Sequence, residues 1–125
     1  MFTHMFLGSN DVDRSRKFYE AALAPLGRHN VVPADQPRLV FPGEGCNLII
    51  AAPANGEPAN AANGFTVGFA ASDAAAVDAF HAAGLANGGT CEGEPGPRPA
   101  APGNAYGAYL RDPDGHKICA FCQLG

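Results

Sequence analysis

Displacing the sequence on itself by 62 positions lays Asp11 on Asp73, Phe18 on Phe80 and His4 on Thr66. The same signals recur in the same order in each half: a short apolar strand, an acidic helix cap, apolar residues at helical spacing, and a late turn at Gly45 or Gly115. A unit repeated after about sixty residues is one supersecondary motif that must bury its apolar face against its copy. The repeat predicts an α+β chain of two βαβββ modules, at 3–52 and 64–123, joined by a connector at 53–63 within a single domain spanning 1–125. Each sheet would carry a helix on one face, leaving the other faces to curl together around a core or a cavity.

Within the first module His4-Met5-Phe6-Leu7 reads as a strand, and Asn10 or Asp11 can cap the helix that follows. Val12, Phe18, Tyr19, Ala22, Leu23 and Leu26 recur at helical spacing and Gly27 closes a helix of about fifteen residues. Arg28–Val32, Arg38–Phe41 and Cys46–Ala52 read as three strands. The Ala-, Asn-, Gly- and Pro-rich run Pro53–Asn63 suits a flexible linker or a lid.

In the second module Phe65–Ala70 reads as a strand, Ser72 or Asp73 caps a helix bearing Val77, Phe80, His81, Gly84 and Leu85, and Gly88-Gly89 stops it. The prolines of Glu92–Asn104 predict a stiff loop there, with Arg98 as its cation. Two strands then flank Asp112-Pro113-Asp114-Gly115, where Pro113 presets φ, Asp112 can accept from the backbone ahead and Gly115 can take positive φ.

Twelve acidic against eight basic residues give a net charge of −4, with no Lys/Arg cluster to follow a phosphate backbone or an anionic membrane. No nucleic-acid or membrane partner is expected, and a small-molecule ligand is. The N-terminal residues do not resemble a signal peptide, so the expected location is cytoplasmic. Cys46, Cys91, Cys119 and Cys122 are too dispersed for a disulfide scaffold and are expected to be reduced. Cys119 and Cys122 have CxxC spacing, but residues three apart in a strand face opposite ways, which favours a structural role.

His4, the segment Asp11-Val12-Asp13-Arg14-Ser15-Arg16-Lys17-Phe18-Tyr19, Pro95-Gly96-Pro97-Arg98 and the Asp112–Gly115 turn together resemble the vicinal oxygen chelate superfamily, among its small glyoxalase/bleomycin-resistance/dioxygenase-like proteins. The resemblance implies an open, barrel-like cavity between paired modules, commonly in a homodimer, and an activity that, if present, is of lyase or isomerase type. In its metal-dependent members the first and last strands of each module supply the ligands. The corresponding positions here are His4, Thr66, Leu48 or Ile49, and Cys119, of which His4 alone is a usual ligand. The family's divalent-metal site is therefore read as degraded, and no cofactor is expected.

Three roles stay open for Cys119: a small buried hydrophobe, a thiolate nucleophile paired with His4, or a soft ligand that with His4 and a third group such as His116 would take Zn, Ni, Mn or Fe. His81 is expected at the core edge, bonded to a backbone group, and His116 in solvent. Thr66, Arg98, Tyr106 and Tyr109 are the candidate ligand-binding residues, with Arg98 a fitting anchor for an anionic or carbonyl-bearing molecule. With His4 and Cys119 as the candidate catalytic pair, the chain reads as a glyoxalase-like small-molecule binder of lyase or isomerase type, or alternatively a non-catalytic, drug-resistance-like sequestering protein.

Overall fold

The structure, a computed structural model describing residues 1–125, is α+β, with two mixed sheets and no closed barrel. The elements in chain order are β1 (His4–Gly8), α1 (Val12–Leu23) with a 3-10 turn at Ala24–Leu26, β2 (Arg38–Phe41), β3 (Asn47–Ala51), β4 (Thr66–Ala70), α2 (Ala74–Ala86), β5 (Thr90–Pro97), β6 (Ala105–Arg111) and β7 (Lys117–Gln123). The first sheet has the order β1-β3-β2 and the second β4-β7-β6-β5, with β1 parallel to β3 and β4 parallel to β7. This arrangement is consistent with two βαβββ modules.

Both helices begin as the capping residues dictate. The Asp11 carboxylate accepts from the Arg14 amide at 3.1 Å, and the Asp73 carboxylate from the Ala76 amide at 2.8 Å. Each side chain satisfies one of the first-turn N–H groups that has no partner inside the helix. The helices pack on each other, and one core unites Phe18, Tyr19 and Leu23 of α1 with Val77 and Phe80 of α2 and with Leu7, Ile50, Val67, Leu110 and Ile118 of the sheets. Strand alternation therefore gives every sheet a helix side and a helix-free side.

The Asp112–Gly115 turn holds the halves together. Gly115 adopts φ +92°, and Asp112 accepts from the amides of Asp114 and His116, each at 2.9 Å, while its second carboxylate oxygen accepts from Tyr19 Oη of α1 at 2.5 Å. Burial pushes the Asp112 carboxyl above the ordinary carboxylate range, against the lowering influence of those bonds. Asp114 reaches the start of α1, accepting from Arg14 at 2.9 Å, from the Asn10 amide at 3.0 Å and from Ser15 Oγ at 3.3 Å.

Three expectations are corrected. Arg28–Val32 forms no strand, because the Asn30 side chain takes over the ladder: its Oδ1 accepts from the amides of Val32 and Val40 and its Nδ2 donates to the Val32 carbonyl. Glu92–Asn104 is not one loop, since β5 extends to Pro97. It is an edge strand with register shifts on either side of Gly93, and prolines are tolerated where a missing N–H faces no partner strand. His116 is buried, not solvated, and Nε2 donates to the Gly8 carbonyl at 2.8 Å because the turn folds onto the first module.

Candidate ligand-binding face

On the helix-free side of the second sheet, β6 and β7 place Tyr109 opposite Cys119, Arg111 opposite Lys117 and Gly107 opposite Phe121. A Cβ at Gly107 would lie 2.5 Å from the Phe121 ring, so only glycine lets that ring lie flat on the strand. The Phe121 ring in turn meets Tyr109 edge-on, with centroids 5.6 Å apart and planes at 79°. Two cations flank the same tyrosine: Lys117 Nζ lies 4.9 Å and Arg98 Cζ 5.3 Å from the ring centroid. Arg98 donates through Nη2 to the Glu94 carbonyl and, at 3.2 Å, to the Gly107 carbonyl, while its buried Nε has no hydrogen-bond partner. A groove of about 460 Å³ opens beside Arg98 and Tyr109, walled by Pro97, Pro99, Ala100 and Ala101.

Cys119 lies beneath this arrangement, opposite Gly68 of β4, and is 6% exposed. Burial pushes its thiol up to about 11 from an ordinary value of about 9, although Lys117 and Arg98 both pull the other way. A buried thiol in that state stays protonated at neutral pH and is a poor nucleophile and a poor metal ligand.

The other candidate residues divide between places. Thr66 is exposed on β4, opposite Lys117. His4 is exposed on β1 of the first sheet, and its Nδ1 shares a 2.9 Å hydrogen bond with Thr3 Oγ1. Tyr106 belongs to the helix side, where its hydroxyl donates to Asp78 of α2 at 2.6 Å. Thr66, Arg98, Tyr109 and Cys119 thus share the second sheet's helix-free side, His4 stands in the other sheet, and Tyr106 faces away. Lys117 was missed by sequence reasoning, because only the β6/β7 register sets its amine over Tyr109.

The first sheet presents a different surface. Its helix-free side shows Phe6, and the 53–60 segment crosses in front of Phe6 and Gly8 to bound a groove of about 640 Å³. Asn10 fastens that segment at both atoms of its amide, donating to the Ala59 carbonyl at 2.9 Å and accepting from the Ala59 amide at 2.7 Å.

The divalent-metal site of the family does not fit these residues. Leu48 points into the core, Ile49 and Thr66 offer no strong ligand, and the Cys119 thiol is held protonated. His81 also departs from expectation: it is buried, but its Nε2 faces Cys91 Sγ at 3.2 Å and not a backbone group, because β5 runs alongside α2.

The chain belongs to the Glyoxalase/Bleomycin resistance protein/Dioxygenase superfamily, whose family model matches residues 2–120. A glyoxalase/bleomycin resistance protein from Albidiferax ferrireducens is 50% identical, with a TM-score of 0.89 over 97% of this chain and 98% of that one. A glyoxalase-related enzyme from Fulvimarina pelagi shares the fold at 18% identity and a TM-score of 0.75, over 95% of this chain and 85% of its own. The lactoylglutathione lyase from Agrobacterium tumefaciens does so at 22% identity and 0.63, over 95% and 90%. No curated protein matches the chain. No helix is long and apolar enough to cross a membrane.

Proposed function

We propose that this superfamily member binds a small anionic organic molecule on the helix-free side of its second sheet, with Arg98, Lys117 and Tyr109 as the recognition group. The observation that carries this reading is the pairing of two cations on one tyrosine ring beside an open groove. A planar guanidinium and an ammonium beside an aromatic face suit a carboxylate or enolate attached to a flat or apolar body. Thr66 lies at the margin of the same surface and adds a hydroxyl.

Within this reading the protein sequesters its ligand, as a drug-binding member would. The protonated Cys119 and the separate location of His4 favour binding over turnover, since proton transfer needs an acid or base close to the reacting atom with a pKa near the working pH. A lyase- or isomerase-type reaction is the second reading, supported by the position of Cys119 directly across from Tyr109 on the same face. The partner proposed for the open side is a second copy of the chain, a reading supported by exposed Phe2, Phe6 and Phe65.

Calorimetry against a panel of aromatic and thiol-adduct carboxylates tests the proposal. The expected result is a saturable ligand whose affinity falls by about 2 kcal/mol or more in Arg98→Gln, as loss of a charge-assisted bond requires. Binding that is indifferent to both Arg98→Gln and Lys117→Gln would sink it. Turnover of any bound compound that Cys119→Ser abolishes while binding persists would replace sequestration with the enzymatic reading.

A further inference from the structure

On the helix side of the same sheet, α2 and β5 bring together three side chains that the ligand-binding face does not use. His81 Nε2 lies 3.2 Å from Cys91 Sγ, Cys91 Sγ lies 3.5 Å from Glu94 Oε1, and the three donor atoms are all within 4.8 Å of one another. We propose that His81, Cys91 and Glu94 form a binding site for a Zn²⁺-class divalent cation, with the remaining coordination position open to solvent.

The backbone of β5 is built in a way that makes this convergence possible. Residues three apart in a regular strand face opposite sides. The register shift between Cys91, which pairs with Leu110, and Gly93, which pairs with Tyr109, inserts one extra residue into β5. Cys91 and Glu94 consequently both face α2, where His81 is anchored on the second helix turn before Gly84. Arg98 fastens the main chain at the Glu94 carbonyl and leaves the Glu94 carboxylate without an ion-pair partner.

The spacing matches a tetrahedral site. Zn–N near 2.1 Å and Zn–S near 2.3 Å, set at the tetrahedral angle, separate the two ligand atoms by about 3.6 Å. The observed 3.2 and 3.5 Å about Cys91 lie within a few tenths of an ångström of that value, and the His81–Glu94 separation, within 4.8 Å, is closed by rotation of the exposed Glu94 side chain. Charge also balances: a thiolate and a carboxylate neutralise a dication, with neutral imidazole as the third ligand. A sulfur, nitrogen and oxygen set selects borderline ions such as Zn²⁺ or Co²⁺ over Mg²⁺ and Ca²⁺, which require oxygen ligands. The exposure of Cys91 and Glu94 gives the ion an entry path.

Titrating the reduced, metal-free full chain with Co²⁺ tests the site. One equivalent is expected to produce a thiolate-to-cobalt charge-transfer band with the intense visible absorption of tetrahedral cobalt, and Zn²⁺ is expected to displace it. Cys91→Ser should abolish the charge-transfer band, Glu94→Gln should weaken binding while keeping the band, and Cys119→Ser and His4→Ala should leave both untouched. Acidification should release the ion as the ligands take up protons. Because Cys91 lies exposed on an edge strand, Cys91→Ser should melt like the parent chain in the absence of metal, whereas Zn²⁺ should raise the melting temperature of the parent alone. Absence of a saturable band in the parent chain, a band that survives Cys91→Ser, or one that vanishes in Cys119→Ser would overturn the proposal.

Discussion

The two sheets solve the helix side in the same way and the helix-free side in opposite ways. Towards the helices, Leu7, Leu39, Leu48 and Ile50 of the first sheet and Val67, Leu110, Ile118 and Ala120 of the second enter one core. Away from them, the first sheet shows Phe6 and a pinned, Pro- and Ala-rich segment, whereas the second shows Arg98 and Lys117 on Tyr109 above Cys119. A repeated module is thus constrained on the face it must bury and free on the other, where any ligand chemistry can be placed without disturbing the packing.

The largest test of this division is to separate the halves. Asp112→Ala removes an acceptor from buried Tyr19 and from two turn amides at once, and it is expected to cost about 4 kcal/mol in denaturant unfolding. Asp114→Ala, which loses bonds to a partly exposed Arg14 and to the start of α1, is expected to cost no more than about half as much. Equal costs would mean that the turn is held by its own geometry and not by Tyr19.

Next in size is the thiol of the second sheet. A pKa near 11 instead of about 9 lowers the thiolate fraction at pH 8, and with it the rate of alkylation by a small haloacetamide, about 100-fold relative to an unperturbed cysteine. The sign for stability follows from linkage. The folded state holds the proton more tightly than the unfolded one, so this contribution is complete below about pH 9 and is lost as pH rises towards 11. Cys119→Ala should flatten the stability profile in that window, and mass-resolved alkylation should find exposed Cys91 modified long before Cys119. The reverse order would place Cys119 in reach of solvent and revive its role as a nucleophile.

How much of this was readable from the chain depended on whether the signal was local. The caps Asp11 and Asp73, the helical periods after them and the Asp112–Gly115 turn are contained within a few residues, and the helices and turn formed as read. Arg28–Val32 failed because Asn30 bonds to Val40, ten residues away, so that a side chain does the work of a strand. β5 was hidden by its prolines, which are compatible with a strand only at an edge, and edges are a property of the assembled sheet. Of the residues on the candidate face, Arg98 reads from the sequence as the lone cation of its segment and Tyr109 as a strand aromatic facing away from Tyr106, while Lys117 needed the β6/β7 register. The His81, Cys91 and Glu94 cluster had no spacing signature at all, since a bulge sets which face Glu94 occupies.

Phe6 is 49% exposed on the helix-free side of the first sheet, so Phe6→Ser should change the unfolding free energy by no more than about 0.5 kcal/mol if nothing covers it. If a second copy covers that side, the same substitution uncovers a buried aromatic at the interface and should shift sedimentation towards the monomer at fixed concentration. Ligand affinity at Arg98 distinguishes the possibilities further. A drop in affinity that tracks the loss of the dimer would mean that the apolar face of one copy completes the cationic face of the other. Unchanged affinity would mean that each second sheet binds alone, and that the first sheet serves assembly only.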